Sequence, residues 1–158
     1  MKANGFLSVV FLALVALFFV VLKLRARRQA ANAPWPFFAK KPLTAPEQIL
    51  YHRLTAALPE CIVLAQVQLS QVLGVEQGYG VREWNNHINR MSLDFLVCLQ
   101  DFSIVAAIEL DDRTHERPDR IVADRKKEKA LNDAEIELIR WRVGAIPDER
   151  EIRRLFVG

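Results

Sequence analysis

Between Phe6 and Leu22 the chain is unbroken apolar sequence apart from Ser8, a run of 17 residues. Extended by Leu24, with the Lys23 ammonium able to snorkel, such a run forms a helix about long enough to cross roughly 30 Å of hydrocarbon. Residues 5–24 are therefore expected to be a transmembrane anchor. Pro34, Pro36 and Pro42 then interrupt a stretch of alanines and aromatics. This predicts a short extended linker over 25–42, with Trp35, Phe37 and Phe38 at the membrane surface.

The pattern changes past Leu43. Thr44, Pro46 and Glu47 make a helix start, with Glu47 closing a capping box. Leu50, Leu54, Ala57 and Leu58 recur at helical spacing until Pro59 stops the helix. A strand is predicted over 62–69, a polar Gly-containing stretch follows, and 84–90 carries no decisive period. Leu93–Cys98 and Ser103–Leu110 are apolar on both faces and separated by Gln100-Asp101, which predicts an antiparallel hairpin inside a covered sheet. A charged helix over 119–134, a strand over 137–143 and a capped helix over 148–156 complete the order α-β-β-β-α-β-α. Residues 43–158 thus read as one α/β domain, of α+β type, with a small mixed sheet.

Charge changes this picture in two ways. Residues 1–28 hold Lys2, Lys23, Arg25, Arg27 and Arg28 and no acid. The four that follow the apolar run favour an anchor with its N-terminus outside and the domain in the cytoplasm, in contact with membrane lipid. A cleaved secretory signal is the rival, with Ala31-Asn32-Ala33 as a cleavage site, but Pro34 would follow the cut and the run exceeds a usual signal core. From Leu43 onward, 15 Lys and Arg face 19 Asp and Glu, a balance of −4. That excludes a global basic field for nucleic acid, so any such binding needs a local patch. Cys61 and Cys98 sit in apolar runs without metal-ligand spacing and read as buried thiols in a reducing compartment.

Three acids stand where a covered strand tolerates few. Glu109 and Asp111 are two apart at a strand end and point to one face. A turn near Gln100-Asp101 brings Asp94 opposite them. Carboxylates gathered in this way suit a hard divalent cation such as Mg²⁺. Asp112, Arg113 and His115 follow in a loop, and Asp124 and Lys127 share a helix face. The bland alternative is an acidic strand end at the surface, paired with Arg113 and Arg117.

The blocks Leu43-Thr-Ala-Pro-Glu-Gln-Ile-Leu-Tyr-His-Arg-Leu, Val63-Leu-Ala-Gln-Val-Gln-Leu, Ser92-Leu-Asp-Phe, Ala107-Ile-Glu-Leu-Asp-Asp-Arg-Thr-His, Asp124-Arg-Lys-Lys and Leu138-Ile-Arg-Trp resemble the bacterial family catalogued as domain of unknown function 2726, over about residues 43–147. That family is in turn similar to a distant branch of the PD-(D/E)XK nuclease-like superfamily, near the very-short-patch-repair endonucleases. The resemblance implies a restriction-endonuclease-like α-β-β-β-α-β core, with Asp94 and Glu109 as metal-binding acids and Glu47 as a helix acid. It also places Asp111 where many members have a catalytic Lys, which would leave Lys127 or Lys126 to reach in from the helix. His115 takes the place of a repair-branch histidine, as general base or phosphate contact, and Asp124 with Lys127 that of a helix pair. Glu135 stands where a Gly is expected before the last strand.

Two functions follow as expectations. One is a membrane-anchored, Mg²⁺-dependent nuclease acting on DNA or RNA, with Asp94, Glu109, Asp111, His115 and Lys127 at its centre. The other is a catalytically silent module that binds nucleic acid or protein, its carboxylates paired with Arg113, Arg117 and Arg140. A basic side chain wedged between Asp94 and Glu109 would favour the second. A bacterial inner membrane is the expected location.

Overall fold

The computed structural model describes residues 3–111 and 118–158. The chain divides into two units, Met1–Lys40 and Lys41–Gly158.

The first unit holds helix α1, Ala3–Asn32, followed by extended chain. A helix therefore covers the segment where the sequence places an anchor. Among the described residues, however, no helix is long and apolar enough to cross a membrane.

The second unit is a four-stranded sheet in the order β1-β2-β3-β4 with helices on both faces. Helix α2 spans Ala45–Ala57 and strand β1 Ile62–Gln68. Two short helices follow, α3 at Leu69–Val72 and α4 at Val81–Ile88, so the undecided stretch around Trp84 is helical. Strands β2, Ser92–Cys98, and β3, Ile104–Asp111, form the expected hairpin. Helix α5, Pro118–Asp133, leads to β4, Leu138–Arg142, and α6, Glu149–Val157, ends the chain. The first three strands pair antiparallel, and β4 adds parallel to β3 after the helical crossover.

Apolar faces decide the layering. Leu50, Leu54 and Leu58 with Ile152 of α6 close over Phe95, Val97 and Ile108. Leu69, Ile88 and Leu131 close the other face over Leu93, Leu96 and Ala107. Each of the larger side chains among them contributes about 1.5–3 kcal/mol by leaving water. The hairpin turns through Gln100-Asp101-Phe102, where Asp101 Oδ1 accepts from the Ser103 amide at 2.9 Å and Phe102 takes φ 66°.

Where the resemblance implies a Gly, Glu135 adopts φ 56°. The Ile136 amide reaches back to the Leu131 carbonyl at 2.9 Å and the Glu135 amide to that of Asn132 at 3.0 Å. Those two bonds close the end of α5 through a left-handed residue, a position that usually selects Gly. The turn is kept, and Glu135 bears its steric cost.

Candidate active site

Among the described residues, Glu109 is the one charged side chain in the buried class, 8% exposed near the end of β3. A buried carboxylate needs a partner, and α5 supplies it. Lys127 Nζ donates to Glu109 Oε1 at 2.9 Å and to the carbonyl of Ser92, the first residue of β2, at 2.9 Å. One ammonium thereby ties the crossover helix to two adjacent strands. Burial pushes the Glu109 carboxyl above its ordinary value, Lys127 opposes that shift, and the charge of Asp94 reinforces it.

Asp94 lies level with Glu109, because Phe95 pairs with Ile108 in the antiparallel register. Its Oδ2 accepts from the Leu110 amide at 2.8 Å. Burial raises its proton affinity; the Leu110 amide and Lys127 lower it, and the charges of Glu47 and Asp111 raise it. The two acids therefore share one partly desolvated neighbourhood, with Lys127 as the cation that both feel.

Glu47 closes the N-terminus of α2 as the capping box requires, its Oε2 accepting from the Thr44 amide at 2.5 Å and from the Thr44 hydroxyl at 2.7 Å. Its other oxygen accepts from Gln66 Nε2 at 3.0 Å. Gln66 is a site residue that the sequence reading misses. Ala65 pairs with Phe95 and Val67 with Leu93, so Gln66 faces Asp94 across β1 and β2. Its φ is 54°, in the left-handed region. The consequence is a change of face: Ala65 packs with the α2 core, while Val67 packs with the α5 core. Leu93 and Phe95 are divided in the same way. No composition signal marks a left-handed Gln inside a strand; only its partner, an acid within an apolar strand, hints at it.

Asp111, whose charge reaches Asp94, also has a basic neighbour. Arg140 of β4 approaches its carboxylate at 3.8 Å and that of Glu128 at 3.9 Å. The parallel register pairs Arg140 with Glu109 and Arg142 with Asp111, so Arg140 meets Asp111 on the diagonal, two residues further along β3. Among the described residues, no group of three or more His, Cys, Asp or Glu side chains is arranged to hold a metal ion. Asp124 lies on an exposed position of α5. His115 lies outside the described residues, as do Asp112, Arg113 and Arg117. The basic group beside Glu109 is thus a lysine from the helix, and Arg140 stands over Asp111 and Glu128.

Fold and site define a small mixed α/β domain with a paired carboxylate and lysine at one end of its sheet. Residues 39–157 match the family model described as Protein of unknown function (DUF2726), and the chain belongs to that family. No curated protein and no solved structure matches the chain.

Proposed function

We propose that this protein is a membrane-anchored, metal-dependent phosphodiester hydrolase of the PD-(D/E)XK nuclease-like kind, acting on DNA or RNA. The observation that carries the reading is the joint placement of Asp94, Glu109 and Lys127, two desolvated carboxylates and an ammonium 2.9 Å from one of them. Perturbed acids gathered with a cation at a strand end are what a site for phosphate chemistry requires.

The donor set fits Mg²⁺, which is commonly held by one or two carboxylates and completes its shell with water and substrate phosphate. Asp94 and Glu109 would hold it, with Asp111 available if it leaves Arg140. A bound Mg²⁺ supplies Lewis acidity and a more acidic water. The chain's own groups do the rest. The resemblance puts a strand lysine where Asp111 stands, and Lys127 brings the missing ammonium from α5, where it would offset charge developing on the phosphate. Glu47, fixed by Thr44 and Gln66, adds its charge to the field at Asp94, behind burial and the Leu110 amide. His115 keeps its expected role as general base or phosphate contact.

Within the same proposal α1 sits in a bacterial inner membrane, N-terminus outside and domain cytoplasmic. The apolar run ending in Lys23, Arg25, Arg27 and Arg28 supports that orientation.

The test is calorimetric titration of Mg²⁺ and Mn²⁺ into the full chain in detergent, beside an Asp94→Ala, Glu109→Ala variant, followed by incubation with labelled DNA and RNA. Metal binding lost in the variant, with metal-dependent cleavage, is the expected result. A folded protein that binds neither ion refutes it.

A second reading is favoured by the same ion pair. Lys127 already neutralises Glu109, and Arg140 engages Asp111, which is how a silent domain that only binds nucleic acid or protein would keep these acids. Nucleic-acid binding that is indifferent to chelator would select it.

A further inference from the structure

We infer that the segment Trp35–Lys41 is a docking collar for an anionic phospholipid surface. Trp35, Phe37 and Phe38 are 74%, 78% and 86% exposed, which places three large aromatic side chains in water within four residues. They are also arranged. The Phe37 amide donates to the Trp35 carbonyl at 2.9 Å, a three-residue turn centred on Pro36. That turn sets the Trp35 and Phe37 rings 5.5 Å apart. Pro34 and Pro36 hold the neighbouring backbone near extended geometry, so little chain entropy remains to be lost on docking.

Charge identifies the occupant. Lys40 and Lys41 follow the aromatics after Ala39, while Lys23, Arg25, Arg27 and Arg28 precede them, and no Asp or Glu occurs before Glu47. Aromatic rings bracketed by cations match the layering of a bilayer surface, where Trp sits at headgroup depth and basic side chains meet lipid phosphate. An acidic protein partner would satisfy the cations but offers no equivalent depth of apolar contact for three adjacent rings. The collar rests on the reading of α1 as a membrane anchor. It adds that the stretch after the helix grips the headgroup layer and prefers anionic lipid.

The full chain is reconstituted into phosphatidylcholine vesicles and into vesicles with about one-quarter phosphatidylglycerol, a charge density at which each nearby cation gains measurably. Alkaline extraction reports the anchor. Quenching of tryptophan emission by lipid brominated near the top of its acyl chains reports the collar. Quenching is expected to be stronger in anionic vesicles, to weaken in high salt, and to disappear in Trp35→Phe. Lys40→Gln with Lys41→Gln is expected to remove the gain from phosphatidylglycerol. Equal quenching of the wild type and Trp35→Phe overturns the collar, as does indifference to both lipid charge and the lysine changes. A chain that resists extraction while Trp35 stays unquenched keeps the anchor and sinks the collar. A chain that extracts yet shows Trp35-dependent quenching in anionic vesicles does the reverse.

Discussion

Replacing Lys127 by Met keeps an unbranched side chain of similar length but removes the one ammonium that faces Glu109. Both partners are nearly enclosed, with side-chain exposures of 12% and 11%, so water cannot take over the lost interaction. The carboxyl then either stays charged with only the weaker influence of Arg140 or takes up a proton. Protonation sets the ceiling: at pH 7 a glutamate with an ordinary value of about 4.3 costs about 3.5 kcal/mol to neutralise. A loss of about 2–3 kcal/mol at pH 7 is therefore expected, part of it the bond to the Ser92 carbonyl, which does not depend on pH. The sign follows from linkage. Burial already holds the Glu109 carboxyl above its ordinary value, and the variant raises it further. Between the unfolded and folded values the native state holds a proton that the unfolded chain has released, so stability falls as pH rises through that window. Urea unfolding of the wild type and Lys127→Met at pH 5 and pH 7 measures this, and the difference should shrink markedly at the lower pH. A Glu109→Gln, Lys127→Met chain should lose less than Lys127→Met alone, because an amide needs no cation. An equal loss at both pH values, or one below about 0.5 kcal/mol, would refute the assignment of Lys127 as the counter-charge that keeps Glu109 ionised.

Glu135→Gly should stabilise the domain by up to about 1 kcal/mol in urea unfolding, since the left-handed penalty it removes exceeds the entropy glycine adds to the unfolded chain; a loss would mean that the Glu135 side chain makes a contact outweighing its backbone cost. Leu54→Ala opens a cavity beneath α2, where Leu54 is fully buried, and should cost about 2–5 kcal/mol by the same assay. Burial pushes the Cys61 and Cys98 thiols up, with Glu60 adding to the effect at Cys61 and Arg153 opposing it. Both should therefore resist iodoacetamide at pH 7 until urea unfolds the chain, and Cys98 labelling at the same rate in the native protein would contradict its enclosure.

Much of the fold is legible because its elements carry their own periodicities. The capping box at Thr44 and Glu47, the runs of β2 and β3 that are apolar on both faces, and the Asp148 cap before α6, whose Oδ1 accepts from the Glu151 amide at 2.8 Å, are local features and stand where the sequence places them. The stretch around Trp84 is not legible in the same way, because α4 buries only Ile88 and leaves Val81 and Trp84 exposed, so no full apolar face repeats along it. Of the site, Asp94 and Glu109 announce themselves as acids in apolar strands, and the hairpin register makes them meet.

The rest of the site depends on contacts between distant segments. Lys127 is one of several lysines on α5, and only the placement of that helix over Ser92 and Glu109 selects it. Asp111 belongs by sequence to the same acidic run, and the parallel pairing of β4 sets Arg140 beside Glu109, from where it reaches the Asp111 carboxylate at 3.8 Å. Gln66 is left-handed at the point where both strands change face, beside Asp94, and only the two cores on one sheet show where that point falls. By itself, then, the chain determined the elements, the hairpin and the two strand acids, all set by short-range pattern. The counter-charge, the fate of Asp111 and the strained glutamine were decided by tertiary structure, because each depends on which side chain an element separated in sequence delivers into a space closed to water.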